Sequence, residues 1–295
     1  MRTVSIVGAG RVGGALALSL PRDRYRLENL IINENRPDGD VVLRLEPTTV
    51  VSRLDHIEAL TSDIVLVTTQ DGCIRDAATA IGLKMKPGTA IFHTSGACDS
   101  SIFSELGERG YAIGSMHPLV SISRADLGQE RFRGAFFCIE GDDIAAALGK
   151  GMATDLGGRP FTIETRFKTL YHASAVTACG HLVALFDASV EMMTKCGLTS
   201  GQAKEILMPL VLSTVDNLNE QDTAAALTGT FARADIETFT RHLTALNENV
   251  SDDLLEIYLL LGERSLELAA RQGVSADRID RLRTKVAVAK SKLKW

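Results

Sequence analysis

The sequence contains no Cys-x-x-Cys pair and no histidine at zinc-finger spacing: its five cysteines, Cys73, Cys98, Cys138, Cys179 and Cys196, are scattered. A disulfide framework and a structural zinc site are therefore excluded as organising devices, and no metal site is expected. The cysteines read as small buried hydrophobes in a reducing compartment. Outside the stretch from Lys285 to Lys294 there is also no cluster of lysines and arginines long enough to follow a phosphate backbone, and the net charge is −5. With a pI near 5.7, nucleic acid is not an expected partner. The apolar run after Met1-Arg2-Thr3 is too short for a signal peptide and is interrupted by glycines. Neither secretion nor membrane association is implied, and a cytoplasmic location is expected. Internal repeats and low-complexity segments are lacking as well.

What is present is the texture of a folded chain, with 45% hydrophobic and 23% charged residues over a length of 295 that suits two domains. Up to residue 163, short runs rich in valine and isoleucine alternate with helix-sized segments. Strands are expected at Thr3 to Val7, Glu28 to Ile32, Ile64 to Thr68, Ala90 to His93, Ala112 to Met116, Ala135 to Ile139 and Pro160 to Ile163. Such runs predict a mainly parallel, doubly wound α/β sheet buried on both faces. From residue 164 to 295 helical spacing takes over. Helices are expected over Phe167 to Cys196, ending at Gly197, and near Ser200 to Asn219, Ala234 to Asn247, Asp252 to Arg271 and Asp277 to Leu293. Ser251 and Ser275 stand where N-caps belong.

The sharpest motif is Gly8-Ala9-Gly10-Arg11-Val12-Gly13, between an apolar strand and a helical pattern. Gly8 permits the turn, Gly10 lets backbone approach a pyrophosphate, and Gly13 lets the helix pack close. The amides of the helix start then face the phosphates. About twenty residues on come Asn33-Glu34-Asn35-Arg36. An acidic residue there would hold the ribose of NAD and an arginine the 2′-phosphate of NADP. Both types occur, and Asn35 and Arg36, just past the strand, tilt the reading to NADP with NAD possible. Thr68-Thr69-Gln70-Asp71 closes another strand and is a further cofactor contact, or else a polar turn into the next helix.

Two more strand ends carry polar groups, His93-Thr94-Ser95-Gly96 and Ser115-Met116-His117-Pro118. His117 could serve as acid or base, with Ser95 and Gly96 against a substrate; equally, His93 could be a packed sheet-end residue and His117 could order a turn. Lys168 and His172 are four apart, so one helix face can carry both to a common group. Partial desolvation would make Lys168 a usable proton donor. Thr228 and Arg233, around Gly229, could meet a substrate anion or merely belong to helix caps.

Together the glycine loop, His93-x-Ser95-Gly96, Ser115-x-His117-Pro118-Leu119, Lys168-x-x-Tyr171-His172-Ala173, Ala226-Leu227-Thr228-Gly229 and Ala232-Arg233-x-Asp235 resemble Rossmann-like proteins with a C-terminal domain of the DUF2520 type. That group looks like a branch of the superfamily of 6-phosphogluconate and 3-hydroxyisobutyrate dehydrogenases, ketopantoate reductase, pyrroline-5-carboxylate reductase and prephenate dehydrogenase. The resemblance implies an all-α second domain of the 6-phosphogluconate dehydrogenase C-terminal type and a homodimer formed through it. It also implies an NAD(P)-dependent oxidoreductase acting on a small, anionic carbonyl, hydroxy or imine metabolite. By position Lys168 matches the catalytic lysine of the hydroxyacid dehydrogenases, and His172 replaces their asparagine. His117-Pro118 and Ser95 resemble the prephenate dehydrogenase site, whose small following residues are here Leu119-Val120-Ser121. The rival readings are a prephenate-type enzyme and an NADP-binding sensor without turnover.

Overall fold

The computed structural model describes residues 1–32, 39–127 and 131–293. Packing divides them into two compact units, Met1–Cys179 and Gly180–Trp295. Strands stop near residue 163, as the sequence texture predicts, but the packing division falls later, inside a long helix whose first turns belong to the sheet unit.

Among the described residues eight strands form one sheet in the order β3-β2-β1-β4-β5-β6-β7-β8. They are β1 (Arg2–Val7), β2 (Tyr25–Ile32), β3 (Val50–Arg53), β4 (Ile64–Val67), β5 (Ala90–His93), β6 (Ala112–Pro118), β7 (Phe136–Gly141) and β8 (Arg159–Phe161). All pairings are parallel except β6 with β7. The core follows from alternation on strands apolar on both sides. Val4, Ile6, Leu66 and Phe92 feed one layer; Val7, Val65, Val67 and Ile91 feed the other. The helices α1 (Arg11–Ser19) and α2 (Ile74–Gly82) and the later α3 (Asp143–Asp155) cover these faces. The sheet holds one strand more than the sequence pattern shows. β3 is only four residues long, has no fully buried residue and lies at the sheet edge, so it carries no apolar run to read.

α4 (Lys168–Lys195) opens in the first unit. The second unit is wholly helical. Beyond the end of α4 it contains α5 (Ser200–Glu220), α6 (Gly229–Ala232), α7 (Ile236–Asn249), α8 (Asp252–Arg271) and α9 (Ala276–Lys290). Gly197 takes φ +90°, the left-handed conformation its place after α4 requires. Ser251 and Ser275 occupy the N-cap positions of α8 and α9, although neither side chain bonds a backbone amide there. The unit's core is built by Phe239, Leu255, Leu259, Leu266, Leu282 and Val286. By length and composition, the stretch Thr165–Lys195 could cross a membrane, and most of it is exposed in the single chain.

Candidate active site

The glycine loop is shaped by crowding on one side and space on the other. Gly8 has φ +108°, and its N–H donates to the Ile31 carbonyl at 2.8 Å. A Cβ on Gly13 would overlap the Gly8 carbonyl oxygen and Thr68 Oγ1, so only glycine lets α1 lie flush against the loop. At Gly10 an added Cβ would meet nothing within 4 Å. That open side faces the start of α1, where no side chain caps the helix and no acidic residue occupies the first turn. Unpaired amides at a helix start, free of local carboxylates, are matched to a phosphate. Arg11 is exposed beside them, while Ala9 and Val12 are half-buried and pack on the core.

The Thr68 hydroxyl donates to the Gly8 carbonyl at 2.7 Å, with the Val7 carbonyl 3.2 Å away, so this side chain fixes the loop rather than reaching outward. Thr69 Oγ1 is buried and, among the described residues, finds no partner. Gln70 and Asp71 lead into a 3-10 turn before α2, as the polar-turn alternative has it. Asn35 and Arg36 lie outside the described residues.

Strand order carries the edge onward from the loop. Because β1, β4, β5 and β6 are neighbours and parallel, their carboxyl ends bring Gly8, Thr68, His93 and His117 to one side of the sheet. Brought there too is a buried polar face. Ser115 pairs in register with Glu140 and His117 with Cys138, so all four lie on the same side of β6 and β7. The first turn of α4 covers it. Lys168 Nζ donates to Ser115 Oγ at 2.6 Å, with the lysine 1% exposed and the serine 0%. Burial pushes the Lys168 ammonium below its ordinary range, and the neighbouring Cys138, Glu140, Asp99 and Cys98 push the other way.

Tyr171 follows one turn later. Its hydroxyl lies 2.7 Å from His117 Nδ1, with Cys138 nearby, and Lys168 Nζ sits 5.9 Å from its ring centre. The His172 ring stands edge-on to that of His117, with centroids 5.7 Å apart. Gly96 makes both placements possible: a Cβ there would overlap His172 Nδ1 and come within 2.8 Å of His117 Cε1. His172 Nδ1 is buried and has no partner among the described residues. His117 stays half-exposed, and burial, with Lys168, His172 and His93 around it, lowers its pKa to about 3.

His93 takes the packed role. It is 0% exposed; its Nδ1 accepts the Ser95 N–H at 3.2 Å, which leaves the proton on Nε2, 3.1 Å from the Asp99 carbonyl. Burial holds its pKa down to about 4. Ser95 Oγ accepts the N–H groups of Ala97 and Cys98, so that hydroxyl oxygen serves the turn and only its hydrogen remains to offer. Glu140 is 5% exposed and accepts both the N–H and the hydroxyl of Ser100 at 2.8 Å, tying the same loop to β7.

Lys168 and His172 both stand near the His117 ring, as one helix face allows, but their close contacts differ. Lys168 points under the sheet end to Ser115, and His172 lies over Gly96 and His117. Thr228 and Arg233 belong to the second unit, where both are exposed at the two ends of α6. Asp235 caps α7, accepting the Thr238 N–H at 3.0 Å. Neither the Thr228 nor the Arg233 side chain is needed for that. Sequence reasoning assigned no role to Tyr171, Cys138 or Glu140. Polar residues at alternate positions of two otherwise apolar strands, with Tyr171 at i+3 from Lys168, are the signal that could have found them. Among the described residues no group of three or more His, Cys, Asp or Glu is placed to hold a metal ion.

The Rossmann-like domain model matches residues 1–118, and that of DUF2520, a domain of unknown function, matches residues 135–265. No curated protein matches by sequence. Among solved structures, a candidate NADP oxidoreductase from Bacteroides fragilis is similar at TM-score 0.73 and 19% identity, over 90% of this chain and 98% of that one. A protein from Thermotoga maritima matches at 0.69 and 21%, over 91% and 99%. A reductive aminase from Aspergillus terreus, in complex with NADPH and ethyl-5-oxohexanoate, matches at 0.55 and 14%, over 99% and 94%. At such identities the likeness shows a shared fold, and it runs through both units.

The two desolvated imidazoles, His93 and His117, make stability depend on pH in a definite direction. Below their ordinary value of 6.5 the unfolded chain takes up protons that the folded chain refuses until about 4 at His93 and about 3 at His117. Stability from these groups is therefore complete above pH 6.5 and lost as pH falls through that window. Thermal melting between pH 7.5 and 4.5 should show a falling midpoint, with a shallower fall in His93→Gln; a midpoint independent of pH would contradict the assignment.

Proposed function

We propose that this chain, a Rossmann-like domain followed by a DUF2520 domain, is an NADP-preferring oxidoreductase acting at a carbonyl, hydroxyl or imine carbon of a small anionic metabolite. The observation that carries the reading is the glycine loop, crowded at Gly13 and open at Gly10, on the same sheet edge as the His117, Tyr171 and His172 cluster. A pyrophosphate fits the open side of Gly10 and the uncapped start of α1, and a bound dihydronicotinamide would supply the reducing equivalent. The preference for NADP draws on Arg36 and on similarity in fold to an NADPH-bound reductive aminase and a candidate NADP oxidoreductase.

The chain's own residues have separable tasks. Lys168, held on Ser115, supplies positive charge beneath the site and favours electron-rich groups above it. His117 and His172 present ring nitrogens beside Gly96, and Ser95 offers its hydroxyl hydrogen. A sensor without turnover would need only the loop. Keeping a buried ammonium costs several kcal/mol, which argues for a reactive site.

We read the homodimer expectation onto the helical unit, where Leu182, Val183, Ile206, Leu210 and Leu212 are exposed. Asp187 and Glu191 lie within the stretch that could cross a membrane, and charges there favour a second copy of the chain over lipid as cover.

Titration calorimetry tests the cofactor reading: NADPH should bind about ten-fold more tightly than NADH, a difference of roughly 1.4 kcal/mol, and Gly13→Val should abolish the heat. No heat with either nucleotide would overturn it. Pooled small keto acids and imines should then drive NADPH oxidation, whereas binding without oxidation by any member favours the sensor. Light scattering should give twice the 31.8 kDa chain mass, falling to one chain in Val183→Asp/Leu210→Asp; a wild-type monomer would refute the dimer.

A further inference from the structure

The hydrogen bonds around Tyr171 decide what His117 can offer. The Tyr171 hydroxyl carries one hydrogen, and its hydrogen-bond partner among the described residues is His117 Nδ1 at 2.7 Å. A phenol O–H bonds an imidazole nitrogen strongly, and the reverse arrangement, with Nδ1–H donating, would leave the phenol hydrogen without an acceptor among the described residues. The favoured arrangement has the Tyr171 O–H donating to Nδ1. His117 then carries its only ring proton on Nε2. That nitrogen is 2.9 Å from where a Cβ on Gly96 would sit, on the side of the orphaned His172 Nδ1.

The groups facing this ring leave it no route to a stable positive charge. Lys168 and His172 come from α4, His93 from β5, and Cys138 and Glu140 from β7, and both Glu140 oxygens are engaged by Ser100. Among these described residues no free carboxylate lies close enough to steady an imidazolium or a cationic ligand. The site offers donors and a buried cation to what enters it.

We propose that Tyr171 is a positioning residue that locks His117 as a neutral Nε2–H donor, and that this donor receives the oxygen of a carbonyl substrate rather than the nitrogen of an iminium. The inference rests on the oxidoreductase reading for its substrate half and on the apo protein alone for its tautomer half. Negative charge growing on a carbonyl oxygen strengthens its bond to Nε2–H and its attraction to Lys168. A protonated imine brings no lone pair to accept that hydrogen and a charge that Lys168 repels.

Nitrogen-15 NMR of the histidine-labelled protein without cofactor reads the tautomer directly. His117 should show a protonated Nε2 and a bare Nδ1, unchanged from pH 5 to 8. Tyr171→Phe should shift it to a mixture of tautomers. A protonated Nδ1 in the wild type overturns the lock, as does an unaltered spectrum in Tyr171→Phe; should that variant not fold, the wild-type spectrum still decides. With NADPH, small 2-keto acids should be reduced in preference to cyclic imines at a pH where the imines are protonated. Tyr171→Phe should lower kcat by about ten- to a hundred-fold with a smaller change in KM. Preference for the imines overturns the substrate half while leaving the reductase reading intact. Turnover of neither removes that reading, and with it the substrate half, but not the lock.

Discussion

The contact between Lys168 Nζ and Ser115 Oγ is the constraint on which the rest of the site depends. An ammonium cut off from water is costly, and the serine hydroxyl is its one close hydrogen-bond partner among the described residues. To make that contact, α4 must begin directly over β6, and once it does, the next residues of the helix have fixed addresses. Tyr171 falls on His117 and Cys138; His172 falls on Gly96. One buried lysine thus sets the register between a helix and a strand, and the register assembles the polar cluster.

The loops around it are held by similar economies of packing. His93 organises the turn after β5 through Ser95 and Asp99, Glu140 clasps Ser100 of that turn, and Gly96 leaves space for two rings that any side chain would displace. At the other end of the edge, Thr68 holds the Gly8 carbonyl while Gly13 lets α1 press against both. In each place a small residue permits an approach and a polar side chain fixes it. The outward groups, such as Gly10, Arg11 and the accessible side of His117, are what remain for ligands.

Much of this was legible in the sequence, for reasons that differ by residue. Gly8, Gly10 and Gly13 were readable because their spacing reflects sterics that only glycine satisfies. The long helices were readable because apolar periodicity persists over many turns, and the start and end of α8 were anticipated as Asp252 and Arg271. β3 was not, being too short and too exposed to show a pattern. Helical spacing correctly placed Lys168 and His172 on one side of α4, yet it could not reveal that a flexible lysine turns inward to Ser115. For Thr68 the sequence leaves a cofactor contact and a polar turn both open, and the structure spends its hydroxyl on the loop, a choice set by a strand sixty residues away in sequence. Tyr171 and Cys138 stayed silent because their meaning lies in cross-strand register, which a one-dimensional pattern does not contain.

Whether the glycine loop and the β6 end form a single ligand site along the sheet edge decides the functional reading. Nitrogen-15 spectra of the histidine-labelled protein, followed as NADPH is added, test this directly, since the chain has six histidines spread over both units. Saturable changes are expected at His117 and His172, with His56 and His242 unmoved. Saturable binding that leaves His117 and His172 undisturbed would contradict that reading.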